Sequence, residues 1–186
     1  MLLAQNGPHR IAENLHLLTQ VLTDLTEDRL IARLFHPPIS KTQLYLLKTL
    51  YVGGAKTIST LAQHFGISNA AISQSVEKLV HQSLVSRKTA SGDRRSVQVS
   101  IRKKAVDLLD QFEAERITLH NRVLIEFSVE EQQQLNRFLE RYIQGLVGQT
   151  SQLDIMCLQC NDLSAEECVI RDHNRYCVQR TVEADS

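Results

Sequence analysis

Apolar residues recur at Ile11, Leu15, Leu18, Leu22 and Leu25, then at Leu30, Ile31 and Leu34. Steps of three and four residues describe one amphipathic helix from Pro8 to Phe35, with a bend near Thr26. Pro37-Pro38 ends it, since proline fixes φ and has no N–H to donate. Ser40-Lys41-Thr42-Gln43 is a capping box, serine at the N-cap and glutamine three residues on, and it opens the apolar run Leu44 to Val52 that Gly53-Gly54 stops. Thr57 caps a short helix through Phe65, and Gly66 supplies the turn. Ser68 caps the next helix, with Ile72, Val76, Leu79 and Val80 on its inward face.

After Ser83 the period changes from helical to alternating. Leu84 to Thr89 and Ser96 to Ile101 are β-branched and alternate, joined by Ala90-Ser91-Gly92-Asp93, which predicts a two-stranded hairpin. Arg102 to Phe127 returns to helix, marked by Val106, Leu109, Phe112, Ile117 and Val123. A second capping box, Ser128-Val129-Glu130-Glu131, opens a last long helix with Leu135, Phe138, Leu139, Tyr142, Ile143 and Leu146. Gly148 and Thr150 close it. A third box, Ser164-Ala165-Glu166-Glu167, places Cys168 in the first turns of a short tail helix. The expected fold is mainly α with a small β-wing. Four segments follow: an N-terminal helix (1–38), a helix-turn-helix lobe with its wing (39–104), C-terminal helices (105–150) and a tail (151–186).

Composition narrows the classes. Of 186 residues 42% are hydrophobic and 23% charged, enough for a core and a soluble surface. No apolar run approaches the ~20 residues that cross a bilayer, and the first ten residues lack the form of a signal peptide. A cytoplasmic protein with reduced thiols and no membrane partner is expected. The formal net charge is zero, yet from Ile39 to Lys104 eleven Lys and Arg stand against two Asp and Glu, a net of +9. The rest of the chain carries the balancing −9. Such a split predicts a basic surface that meets a polyanion, with acidic parts held away from it.

Helix, tight turn, helix and wing inside the basic block make a winged helix-turn-helix. Thr57-Ile58-Ser59-Thr60-Leu61-Ala62-Gln63-His64-Phe65-Gly66-Ile67-Ser68-Asn69-Ala70-Ala71-Ile72-Ser73-Gln74 resembles the DNA-binding core of the multiple-antibiotic-resistance regulator (MarR) family. Ser91-Gly92-Asp93-Arg94-Arg95-Ser96 is similar to that family's Asp-x-Arg wing signature. The order of elements matches from about residue 8 to about residue 148. The resemblance implies a homodimer with interleaved terminal helices, a pseudo-palindromic double-stranded DNA operator, and a small-molecule effector pocket between the dimer helices and the lobe. The residues point the same way: both terminal segments are long amphipathic helices that a minimal winged helix does not need.

On the second helix the apolar stripe leaves Asn69, Ala70, Ser73, Gln74 and Glu77 outward. Asn and Gln bond adenine edges in the major groove, and an Ala methyl meets thymine; Ser73 and Gln74 are the expected base readers. Ser68 at the N-cap and Lys78 suit phosphates. In the wing, Asp93 and Arg95 are two apart and share one side of an extended strand, so the carboxylate orients a guanidinium for the minor groove. Arg94 faces the other way, toward phosphate.

All four cysteines lie in the tail, as Cys157-x2-Cys160-x7-Cys168-x8-Cys177. Four thiolates can hold an iron–sulfur cluster, which tolerates irregular spacing and is covered here by Leu158, Leu163, Val169 and Ile170. A structural zinc site is the second reading, half formed because only Cys157 and Cys160 make a knuckle. A metal-free thiol–disulfide switch is the third. His173, four residues before Cys177, could replace or supplement a cysteine as ligand, although a surface residue is the expectation for a histidine in a polar tail. A thiol–disulfide redox enzyme is disfavoured. Its dithiol wants a βαβ sheet and a low thiol pKa, whereas the tail from Ser151 carries seven Asp and Glu against three Arg. The chain has no nucleophile–base set, so no enzyme activity is expected. A protein-docking adaptor built on the same winged helix predicts weak, salt-insensitive DNA binding.

Overall fold

A computed structural model describes residues 7–90 and 93–149, and the side chains of 8–88 and 97–149. The first helix, α1 (Gly7–Leu22), runs through a π-helical turn (Thr23–Asp28) into α2 (Arg29–Leu34). The π-helical turn falls at Thr26, the position where the sequence predicts a bend. The buried Thr26 hydroxyl donates to the Leu22 carbonyl at 2.6 Å, a back-bond that competes with the helical ladder. Lys41 pairs with Glu27 and Asp28 at 3.5 and 3.1 Å, and the Tyr45 hydroxyl donates to Glu27 at 3.0 Å. Burial first, then the Glu27 carboxylate, raises the Tyr45 hydroxyl to about 12, so it stays a proton donor at neutral pH.

The lobe follows as α3 (Lys41–Gly53), β1 (Lys56–Thr57), α4 (Ile58–Phe65), α5 (Asn69–His81), β2 (Val85–Ala90) and β3 (Asp93–Ile101). The predicted hairpin is in fact part of a three-stranded antiparallel sheet, ordered β1-β3-β2. Lys56 and Thr57 pair with Val99 and Gln98, too short a strand to leave a periodic signal. The β2–β3 ladder also reaches beyond the expected strand ends, to an Ala90–Asp93 pair past an irregularity at Thr89/Ala90. Then come α6 (Lys103–Leu124) and α7 (Val129–Val147). The helix read as reaching Phe127 stops at Leu124. Gln132 donates to the carbonyls of Leu124 and Phe127 at 2.9 and 3.0 Å and fixes the corner.

One apolar core joins the lobe to its flanks. Leu44, Leu46, Leu47 and Leu50 of α3, Leu61 of α4, and Ile72, Val76 and Leu79 of α5 meet Leu84, which leads into β2, and Val85 and Val99 of the sheet. Leu30 and Ile31 of α2, Phe35 after it, and Ala105, Leu109 and Phe112 of α6 complete it. Beside that core Lys48 of α3 pairs with Glu113 of α6 and lies 5.0 Å from the centre of the Phe112 ring. Arg116 bonds the same carboxylate at 2.7 Å, and Arg33 of α2 pairs with Glu115. By contrast α1 and α7 present apolar residues to solvent, Ile11, Leu17, Leu18, Phe138, Tyr142 and Leu146 among them.

Candidate nucleic-acid interface

Capping fixes where the second helix of the motif begins. Thr57 accepts from the Thr60 N–H and Ser68 from the Ala71 N–H, both from extended backbone, as their residue types favour. Between them Gly66 turns the chain at φ 63°, and Ile67 N–H bonds back to the Ala62 carbonyl. An L-residue rarely adopts that conformation, so glycine is the natural occupant. At α3 both halves of the Ser40–Gln43 box are made.

Within α5, Ile72, Val76 and Leu79 are buried and Val80 is half-buried. Ser68 precedes the helix exposed, and Asn69, Ala70, Gln74, Glu77 and Lys78 are exposed along it. Ser73 is half-buried, less open than the stripe alone suggests. Asp93, Arg94 and Arg95 open β3, and their side chains lie outside the described residues, as do Cys157, Cys160, Cys168 and Cys177. Among the described residues no group of three or more His, Cys, Asp and Glu is arranged to hold a metal ion.

The side chains that steady α5 escaped the sequence reading. Gln43 donates its amide to the Ser75 carbonyl at 3.3 Å, Arg87 of β2 donates to Ser73 at 2.6 Å, and Lys104 donates to Gln82 at 3.1 Å. Three carbonyls of one helix region are thus held from α3, β2 and α6. These bonds cross 32, 14 and 22 positions, so no local pattern announces them. The only hint was composition, since Arg87 and Lys104 belong to the basic block. His64 on α4 is held below its ordinary 6.5 by burial and then by the Lys56 charge, both of which disfavour the imidazolium. A cavity of about 230 Å³ opens between the end of α2, the end of α5 and the start of α6, lined by Leu34, Phe35, Leu84 and Leu108 with His36, Gln82 and Lys104 at its polar part.

Residues 39–97 match the model of the MarR family. No curated protein matches the chain. Among solved structures, RV1404 from Mycobacterium tuberculosis is similar with a TM-score of 0.66 and 24% identity, over 73% of this chain and 91% of that one. The YusO protein from Bacillus subtilis gives 0.62 and 19%, over 73% and 96%. A variant of MepR from Staphylococcus aureus bound to an oligodeoxyribonucleotide gives 0.54 and 18%, over 70% and 96%. At these identities the likeness is one of fold, the winged helix of MarR-type structures. No helix among the described residues is long and apolar enough to cross a membrane.

Proposed function

We propose that this chain is a DNA-binding transcriptional regulator of the MarR type, a repressor, which binds a pseudo-palindromic operator as a homodimer. The observation that carries the reading is a capped helix-turn-helix presenting exposed Asn69, Ala70, Gln74 and Lys78 beside a wing strand that opens on Asp93-Arg94-Arg95, all inside a segment of net charge +9. Asn69 and Gln74 carry the donor–acceptor pair that reads adenine, and Ser68 and Lys78 meet phosphates. Arg95, set by Asp93, enters the minor groove; Arg94 meets phosphate. The match of residues 39–97 to the MarR model and the DNA-bound state of the MepR variant support it. The test is Arg95→Ala: operator affinity falls at least tenfold while the circular dichroism of the fold is unchanged. A folded variant of wild-type affinity would remove Arg95 from the interface.

The sensing mode is proposed from sequence. Cys157, Cys160, Cys168 and Cys177 hold an iron–sulfur cluster whose assembly or redox state changes the geometry of the dimer helices, because the tail continues directly from α7. Zinc held by the same thiolates, or a disulfide switch without metal, are the competing centres. Anaerobically purified protein should be brown, with iron and sulfide bound. One zinc per colourless chain would overturn the cluster. Operator affinity unchanged on replacing all four cysteines by serine would overturn the sensing role.

A further inference from the structure

Arg87 is not one of the residues expected to touch DNA, yet it joins the two elements that are. It stands in β2 opposite Val99, and both Val99 and Val85, two positions back, are buried. Successive strand residues face opposite sides, so Arg87 leaves the sheet on the side toward α5, whereas Lys88 leaves on the other. Its Nη2 donates to the Ser73 carbonyl at 2.6 Å, on the turn of α5 that carries the exposed Gln74. This uses one of the five N–H donors of a guanidinium. The residue is nonetheless exposed, which leaves room for the rest of the fork to meet a ligand. With α5 in a major groove and the wing over the adjacent minor groove, the sugar–phosphate strand between the grooves passes where Arg87 spans from one element to the other.

We propose that Arg87 is a phosphate clamp, with one edge fixed on the Ser73 carbonyl and the other donating to the DNA backbone between the two grooves. The proposal rests on the DNA-binding reading above. It also gives Ser73 its place: the fork that grips phosphate sets the height of the base-reading turn relative to the backbone. Lysine does both less well, because its ammonium is a point charge without a planar fork to hold the two acceptors in fixed directions.

The experiment needs no operator. Full-length protein is titrated against a fluorescent mixed-sequence duplex about three helical turns long, across a series of KCl concentrations. Arg87→Ala and Arg87→Gln should lower affinity about tenfold, and the slope of log affinity against log salt should become shallower by about one. Arg87→Lys should restore the slope but not the whole affinity. Glutamine keeps a donor for Ser73, so that variant remains informative if alanine loosens α5. Folded variants with the wild-type slope would overturn the clamp and reduce Arg87 to a support of Ser73. Wild-type protein without salt-dependent binding would instead overturn the DNA-binding reading, and the clamp with it.

Discussion

Ser83 closes α5 in the left-handed region, at φ 60°, with its N–H bonded to the Val80 carbonyl and that of Leu84 to Leu79. This is the same helix end that Gly66 makes for α4, where φ is 63°. An L-residue at such a φ costs about 1–2 kcal/mol, partly offset because glycine loses more freedom on folding. Ser83→Gly should therefore stabilise the protein by about 0.5–1 kcal/mol, read as a higher urea midpoint at unchanged slope. A lower midpoint would mean that the serine hydroxyl supports the turn. The pair shows what a sequence can disclose at this scale. Glycine advertises a left-handed turn, and so Gly66 was legible; serine does not, and so Ser83 was not. Gln43 was half legible: its backward bond to Ser40 belongs to a local motif, whereas its amide on Ser75 depends on where α5 lands.

Between elements, the Lys48–Glu113–Arg116 cluster ties α3 to α6 beside Phe112. Burial alone would raise the Glu113 carboxyl, but the bonds and charges of Lys48 and Arg116 outweigh it and hold it below the ordinary value of 4.5. A carboxyl depressed in the folded state binds fewer protons there than in the unfolded chain. Its stabilisation is therefore complete above pH 4.5 and is lost as pH falls through the lower folded value. Glu113→Gln should cost about 1–3 kcal/mol at neutral pH, since it leaves two cations facing a half-buried amide. The difference between variant and wild type should narrow in acid, where the native carboxyl is protonated too. A gap in urea stability that stays constant from pH 7 to pH 3 would show that the charge contributes nothing. Periodicity revealed the apolar face of α6 through Leu109 and Phe112. It could not reveal a lysine 65 positions away as the partner of Glu113.

Among the described residues, the first and last helices are left unfinished. Ile11 and Leu17 of α1 are each 57% exposed and Phe138 of α7 is 61% exposed, on helices whose spacing repeats every three or four residues. Apolar stripes of this length call for a cover, and in the homodimer proposed above a second copy would cover both at once. Sedimentation should give twice the chain mass of 21.1 kDa, and Phe138→Glu should shift the population to single chains with the lobe still folded. A monomeric wild type at micromolar concentration would contradict the dimer. This surface was legible in advance because helical periodicity survives without its partner, as was the order of helix, turn, helix and wing. The wing's third strand and the supports of α5 were not, because each depends on contacts between distant segments. The π-helical turn at Thr23–Asp28 then acquires a meaning of its own. Each residue advances a helix by about 100°, so this turn works as a phase setter between α1 and α2. Deleting one residue there would let the two run on as a single α-helix, with α1 rotated by about that angle relative to the lobe. Ile11 and Leu17 would swing to another side of the axis, and the same sedimentation run would show a folded chain that no longer finds its twin.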